Sequence, residues 1–199
     1  MSLWRTSQKK LGIALLVLSI FGLTASFTLT YDTIEKIKNP DFNPACNISP
    51  IVSCGKALAS SQSELFGIPN PIYGIVAFTA LLTLAVTLIA GAKYKRWFWM
   101  VVEGVGLAGL SGALYLFFFS MYSLGSICPW CLLVWVTTIA VFWYITTYLV
   151  ATGLLAGRGA SHRIADLWEK YAVPTLIVWY LALVVIVFLR FSEYWLSLI

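Results

Sequence analysis

Charged side chains are scarce in this sequence. Aspartate, glutamate, lysine and arginine together make up 11% of its 199 residues, whereas 60% are hydrophobic. A soluble globular domain carries about 25% charged residues, so the composition excludes that class and indicates an integral membrane protein. The length predicts one membrane domain that covers residues 1–199.

Acidic residues and histidine are also few. Eight acidic residues stand against 13 basic ones, which gives a net charge of +5. The basic residues occupy short connections between apolar runs rather than one stripe, so no nucleic-acid partner is predicted. The single histidine is His162, and the four cysteines lack the usual spacing of a zinc site. We therefore predict no metal.

Five apolar runs are long enough to cross a bilayer, which takes about 20 residues. They cover residues 11–31, 71–92, 98–122, 132–152 and 173–191, and they predict an all-α integral membrane protein. The first run follows basic residues, as in a secretory signal peptide, but it exceeds the usual apolar core of about 7–15 residues. We interpret it as an uncleaved first span.

Basic residues are distributed unevenly between the two faces that these spans define. Most of them fall on the face of the N-terminus, and the positive-inside rule places that face in the cytoplasm, beneath the cell membrane. The long loop over residues 32–70 is then extracytoplasmic. The basic residues on the predicted cytoplasmic face are Arg5, Lys9, Lys10, Lys93, Lys95, Arg96, Arg158, Arg163 and Lys170.

All four cysteines fall on the predicted extracytoplasmic side, where disulfides form and persist. Cys46 and Cys54 lie in the 32–70 loop, and Cys128 and Cys131 open the fourth span as CPWC. Pro129 suits the first helical position, so Cys128 takes the N-cap and Cys131 follows one turn later, close enough for a disulfide. A helix N-terminus and a CxxC arrangement both favour the thiolate, which is the species that attacks disulfides.

The loop pair has a different spacing. A continuous helix would separate Cys46 and Cys54 by about 12 Å, whereas a disulfide needs Cα atoms about 4.4–6.8 Å apart. If the two pair, the segment must fold back, and Pro50 favours such a break. A pair on a mobile loop can visit two partners, as an electron shuttle requires. Two static structural disulfides are the alternative.

Three segments carry a resemblance to a known family. They are ACNISPIVSCGKALAS with both loop cysteines, FGIPNPIYGIVAF at the second span, and CPWC at the fourth. Over about residues 11–152 the chain resembles the bacterial members of the vitamin K epoxide reductase family. The resemblance implies a four-helix transmembrane bundle around a quinone, either menaquinone or ubiquinone, with a fifth, peripheral transmembrane helix.

The resemblance also implies roles for individual residues. Cys128 and Cys131 reduce the quinone, and Cys46 and Cys54 relay electrons to them from a thioredoxin-like protein. We expect Cys46 to meet that partner, Cys54 to attack Cys128, and Cys131 to face the quinone. We expect Asn70 to donate a hydrogen bond to a quinone carbonyl, and Ser60 to hydrogen-bond a thiolate or orient the loop. The aromatic residues expected to line the quinone ring are Phe66, Tyr73, Trp130 and Trp135.

Substrate and partner depend on two further details. The sequence ends at Ile199, just after the fifth span, so we expect a separate DsbA-like partner that makes disulfides in exported proteins. Animal members of the family carry a tyrosine where this chain has Trp135, which leaves vitamin K epoxide a doubtful substrate. Two alternatives stay open: quinone or epoxide reduction as the main purpose, and a non-catalytic membrane scaffold with two fixed disulfides.

Overall fold

The computed structural model describes residues 7–155 and 162–192, so Arg5 and Arg158, which were used to predict the orientation, lie outside the described residues. Helices dominate these ranges. The elements in chain order are α1 (Gln8–Lys38), α2 (Cys54–Leu58), β1 (Glu64–Leu65), β2 (Ile68–Pro69), α3 (Asn70–Ile89), α4 (Arg96–Phe119), a π-helical turn (Ser120–Leu124), α5 (Pro129–Ala151) and α6 (His162–Arg190).

Five helices in the described ranges are long and apolar enough to cross a membrane, which confirms the predicted all-α membrane class. Helix α1 packs against α3 and α5, and α4 packs against α5. Helix α6 lies at the edge of this four-helix bundle and packs against α5. The short strands β1 and β2 form an antiparallel hairpin just before α3.

Helix α1 extends beyond the predicted span of residues 11–31. The extension is polar, and its last turn holds Lys36 and Lys38. The negative end of the helix dipole stabilises these positive charges. Asn39 ends the helix, and its N–H donates to the Glu35 carbonyl. Counting apolar residues ignores such a polar extension. Because α1 continues to Lys38, Asp32 lies on a regular helix rather than in the loop.

Helix α6 begins at His162, well before the predicted span of residues 173–191, so Pro174 lies inside the helix. Membrane helices tolerate an internal proline because neighbouring groups satisfy the carbonyl that it leaves free. The predicted span, which was limited to the apolar run, therefore begins later than the helix itself.

The last turn of α6 is fastened to the segment that precedes the CxxC motif. Arg190 Nε donates a hydrogen bond of 3.0 Å to the Met121 carbonyl in the π-helical turn. The next residue, Phe191, is buried in an apolar cluster with Phe117 and Trp135. The peripheral helix thus contributes to the packing around the start of α5.

Small residues set the close approach of α1 and α3. Gly22 of α1 lies against the ring of Phe78, and a Cβ at this position would overlap that ring. Gly74 of α3 leaves room for the hydroxyl of Ser26 in the same way. Since Phe78 and Ser26 are both buried, neither neighbour has free space into which it can withdraw.

We expect Gly22→Ala to lower the stability of the bundle by about 1–3 kcal/mol, the usual cost of overpacking a filled core. The measurement is the thermal midpoint of the detergent-solubilised protein. Gly104→Ala is the matched control, because a Cβ on this α4 glycine would meet nothing within 4 Å. Equal destabilisation by the two substitutions would contradict the close packing of α1 on α3.

Candidate active site

The four cysteines converge at one end of the bundle. Cys46 and Cys54 come from the segment between α1 and α3, and Cys128 directly precedes α5. Cys54 and Cys128 are fully buried, and only 8% of the Cys46 surface is exposed. Leu29 of α1 packs into the same cluster. The redox groups therefore lie between the loop and the ends of the spanning helices.

Three of the sulfur atoms lie in contact one after another, in the order Cys46, Cys54 and Cys128. Cys46 and Cys54 form a disulfide with their Cα atoms 5.7 Å apart, so the segment folds back as pairing requires. The Sγ atom of Cys128 lies 3.2 Å from the Sγ atom of Cys54, and Cys128 and Cys131 are free thiols. Cys54 thus contacts both exchange partners at once, whereas the sequence suggested a mobile loop that visits them in turn.

The CxxC motif opens α5 in the predicted way, with Cys128 as the N-cap and Pro129 as the first helical residue. A hydrogen bond from the Cys131 thiol lowers the pKa of the Cys128 thiol, and the N–H groups of Cys131 and Trp130 act in the same direction. Burial and the Asp32 carboxylate oppose this effect. A larger fraction of Cys128 is therefore thiolate at neutral pH, the form that exchanges with disulfides.

Backbone hydrogen bonds hold the cysteine loop against the residues before the CxxC motif. The N–H of Ile127 donates to the Ile51 carbonyl over 2.7 Å, and the Ile127 carbonyl accepts from the N–H of Ser53 over 3.0 Å. The result is a short parallel bridge. Because Ser53 precedes Cys54 and Ile127 precedes Cys128, the bridge sets these two cysteines side by side.

The side chain of Asn47 orients the beginning of α2, where Cys54 is the first residue. Its Oδ1 atom accepts hydrogen bonds from the Gly55 N–H over 2.8 Å and from the Ser53 hydroxyl over 2.9 Å. Ser53 is the N-cap of α2, and its hydroxyl also accepts from the Lys56 N–H. The turn that presents Cys54 to Cys128 is therefore anchored by the residue next to Cys46.

Two predicted quinone contacts on α3 hold the loop. Asn70 Nδ2 donates to the Gln62 carbonyl over 2.6 Å, and the Asn70 N–H donates to the Ser63 carbonyl. The Tyr73 hydroxyl donates to the Leu65 carbonyl over 2.9 Å. Both side chains fasten the loop to the first turn of α3, and their contact with a quinone stays a prediction.

Ser60 and Phe66 lie in the same loop. The Ser60 hydroxyl donates to the Ala57 carbonyl at the end of α2. Phe66 lies at the tip of the β1–β2 hairpin with a positive φ of 54°, and 91% of its surface is exposed. Phe66 is therefore displayed on the hairpin and not packed in the cysteine cluster.

The two tryptophans of α5 lie beside the CxxC motif. Trp130 packs against the cysteine cluster. Trp135 is buried, and its ring meets that of Phe117 edge-on with centroids 5.2 Å apart. The apolar cluster that holds Trp135 also contacts Cys131. The half-buried Cys131 thus adjoins an aromatic, apolar wall, which is a fitting neighbour for a flat apolar quinone ring.

The sequence analysis missed two residues of the site, Asp32 and Asn47. Asp32 Oδ2 lies 3.9 Å from Cys46 Sγ. Its position carried a usable signal, because the buried residues of α1 recur at helical spacing through Ser26 and Leu29 to Asp32. Asn47 gave no comparable signal, since its role depends on how the chain folds back.

A sequence profile of the vitamin K epoxide reductase family matches residues 13–146. The chain belongs to this family. The match spans more than half of the chain and includes all four cysteines and Asn70, which confirms the resemblance seen in the motifs. Membership in the vitamin K epoxide reductase family, together with the cysteine cluster, indicates a thiol oxidoreductase within a multi-pass membrane protein.

We expect Cys54 and Cys128 to cross-link readily when they are the only cysteines left, in the variant with Cys46→Ser and Cys131→Ser, because their sulfurs lie 3.2 Å apart. A mild oxidant followed by mass-tag alkylation of the remaining thiols measures the rate. The matched variant, with Cys46→Ser and Cys128→Ser, retains Cys54 and Cys131. Faster cross-linking in this second variant would remove Cys128 as the exchange partner of Cys54.

In the same cross-linking background, we expect Asn47→Ala to slow disulfide formation between Cys54 and Cys128 several-fold. The substitution removes two hydrogen bonds worth about 1 kcal/mol each, so the turn at Cys54 is less firmly held. Asn43→Ala is the control, because it removes only the contact between Asn43 and the Asn47 amide nitrogen. An unchanged rate in Asn47→Ala would show that the backbone bridge alone orients Cys54.

Proposed function

We propose that this protein is a quinone-linked thiol oxidase that reoxidises an extracytoplasmic thioredoxin-like protein of the DsbA type. It would thereby drive disulfide formation in exported proteins. The observation that carries the proposal is the simultaneous contact of Cys54 with Cys46 and with Cys128. A sulfur that touches two exchange partners supports a relay better than it supports two fixed structural disulfides.

The internal steps follow from thiolate attack on disulfide sulfur. A thiolate of the reduced partner attacks Cys46, and Cys54 leaves as a thiolate. Cys54 then attacks Cys128 of an oxidised CxxC pair, and Cys131 leaves. The second thiol of the partner releases Cys46, which attacks Cys54 and restores the loop disulfide. The partner has then been oxidised, and the CxxC pair holds two electrons.

A bound quinone would accept these two electrons from the CxxC pair. We assign Cys131 to the face of the quinone because it adjoins the apolar wall around Trp135, and Asn70 to the outer end of the same site. The direction of transfer follows from potentials. The reduction potential of a DsbA-type protein is about −120 mV, so its oxidation needs an acceptor of higher potential, which a respiratory quinone provides.

The proposed location is a cytoplasmic membrane with the N-terminus inside. The basic residues of the connection between α3 and α4 support this orientation, since Lys93, Lys95 and Arg96 lie at the end of the bundle opposite to the cysteine loop. The cysteine cluster then faces the extracytoplasmic space, where a DsbA-type partner resides.

The decisive measurement is oxidation of a reduced thioredoxin-like protein by the purified full chain in the presence of a short-chain ubiquinone or menaquinone. We expect quinone-dependent oxidation by the unmodified chain and a fall to the background rate in Cys131→Ser. Ser61→Ala, a substitution at an exposed loop residue whose hydroxyl contacts only Gln62 among the described residues, serves as the control.

Two results would contradict the proposal in different ways. Robust oxidation by Cys131→Ser would remove Cys131 from the electron path. Absence of oxidation by the unmodified chain with either quinone, in a preparation whose cysteines cycle with a small dithiol, would overturn the assigned partner and acceptor.

A further inference from the structure

A buried carboxyl group lies beside the loop disulfide. Asp32 is 7% exposed, and its Oδ2 atom lies 3.9 Å from the Cys46 sulfur. In the closed disulfide the Cys46 sulfur carries no proton, and a thiol formed at this position when the disulfide opens has the Asp32 carboxyl group as its neighbour. The charge of Asp32 also acts on Cys128. One carboxyl group therefore contacts Cys46 and acts electrostatically on Cys128, the two ends of the three-sulfur succession.

The cations of this region are engaged elsewhere. Lys36 and Lys56 donate to backbone carbonyls of the loop, and Lys38 pairs with Glu35 at 3.1 Å. Within residues 7–155 and 162–192, no lysine or arginine forms an ion pair with Asp32. A buried carboxylate without a cation is destabilising, so stability alone does not account for this residue.

The titratable groups that face Asp32 are few. Cys46 approaches it from the loop and Cys128 from the start of α5, with Cys131 behind Cys128. Tyr73 is the titratable residue that α3 contributes at this end, and its hydroxyl donates to the loop backbone. Among the described residues, Cys46 is the titratable group whose side chain contacts the Asp32 carboxyl group, so it is the group with which we expect Asp32 to exchange a proton.

We propose that Asp32 accepts the proton of Cys46 in the resolving step of the relay, an inference that rests on the proposed function. In this step Cys46 attacks Cys54 within the Cys54–Cys128 disulfide. The Cys46–Cys54 bond forms, the Cys54–Cys128 bond breaks, and the electron pair leaves on Cys128 as a thiolate. The thiol proton of Cys46 passes to the Asp32 carboxylate, and no external oxidant or reductant is consumed.

The charges in the cluster support this assignment. Before the step the buried site holds one negative charge, on Asp32, and after it one negative charge, on Cys128. A charged Asp32 disfavours the Cys128 thiolate, so protonation of Asp32 makes Cys128 a better leaving group. The bonding in the structure is that of the product, with a loop disulfide and Cys128 in contact with Cys54.

The same carboxyl group completes the cycle when the partner releases Cys46. The departing Cys46 thiolate takes the proton from Asp32, which becomes charged again and is ready for the next resolving step. Asp32 thus moves one proton back and forth over a single contact, and the net reaction contains no change at this residue.

The test follows the resolving step alone, in the full chain without quinone or protein partner. The chain is oxidised at both cysteine pairs, one equivalent of dithiothreitol is added, and samples are quenched with acid and alkylated. Mass spectrometry then measures how fast the Cys54–Cys128 disulfide decays to Cys46–Cys54. The variants are Asp32→Asn, which is nearly isosteric, and the matched control Glu35→Gln on the same helix.

We expect the unmodified chain and Glu35→Gln to resolve at nearly constant rates between about pH 6.5 and about pH 8.5, because the carboxylate takes the proton below the ordinary thiol pKa of about 8.5. In Asp32→Asn, solvent must remove the proton, so the resolving rate should fall about tenfold for each unit by which the pH is lowered over this range. Near the lower limit the variant should be at least about tenfold slower than the unmodified chain, and the Cys54–Cys128 disulfide should accumulate.

Each contrary outcome has a distinct meaning. A resolving rate in the unmodified chain that itself falls about tenfold for each unit by which the pH is lowered, measured after the dithiothreitol adduct of Cys46 has disappeared from the spectra, overturns the role of Asp32 without reference to any variant, even if Asp32→Asn fails to fold. Equal rates and profiles in Asp32→Asn and the unmodified chain overturn it while leaving the relay intact. If the unmodified chain forms no Cys54–Cys128 disulfide at all, the relay and the role of Asp32 are both overturned.

Discussion

The redox contacts of this protein depend on one backbone pairing, the bridge between Ile127 and the loop residues Ile51 and Ser53. Cys54 and Cys128 are 74 residues apart in the chain, and the two spanning helices α3 and α4 separate them in sequence. The spanning helices bring the loop and the start of α5 to the same end of the bundle, but only to within the dimensions of a loop. The bridge brings the two sulfur atoms into contact, because each of its two backbone segments is followed directly by a cysteine.

The surrounding helices give this pairing a rigid frame. The polar extension of α1 carries Leu29 and Asp32 up to the cysteines, and Arg190 of α6 holds the π-helical turn that leads to Ile127. Thiol–disulfide exchange begins with direct attack of a thiolate on a disulfide sulfur, so the reacting sulfurs must be aligned in contact. A frame of this kind provides that alignment in the resting protein, so the internal exchange needs no large movement of the loop.

The sequence predicts much of this organisation. Apolar runs, basic connections and the CPWC motif are local patterns, and they were sufficient for the helical class, the five spans and the N-cap position of Cys128. The contact between Cys54 and Cys128 depends on residues far apart in the chain, so spacing alone could not predict it. The role of Asn47 likewise depends on a fold-back that Pro50 allows but does not specify. Asp32 was missed because the hydropathy limit ended the first predicted span at residue 31, just before Asp32, whereas α1 continues to Lys38.

The uneven exposure of the four sulfurs has a consequence for the separation of two chemical compartments. Cys54 and Cys128 are fully buried, 8% of the Cys46 surface is exposed, and the half-buried Cys131 borders the apolar wall at the start of α5. In the proposed relay, water-borne thiols would enter at Cys46 and a lipid-soluble oxidant would react at Cys131. The buried pair between them would then insulate the two pools from each other, and electrons would cross through an ordered sequence of exchanges.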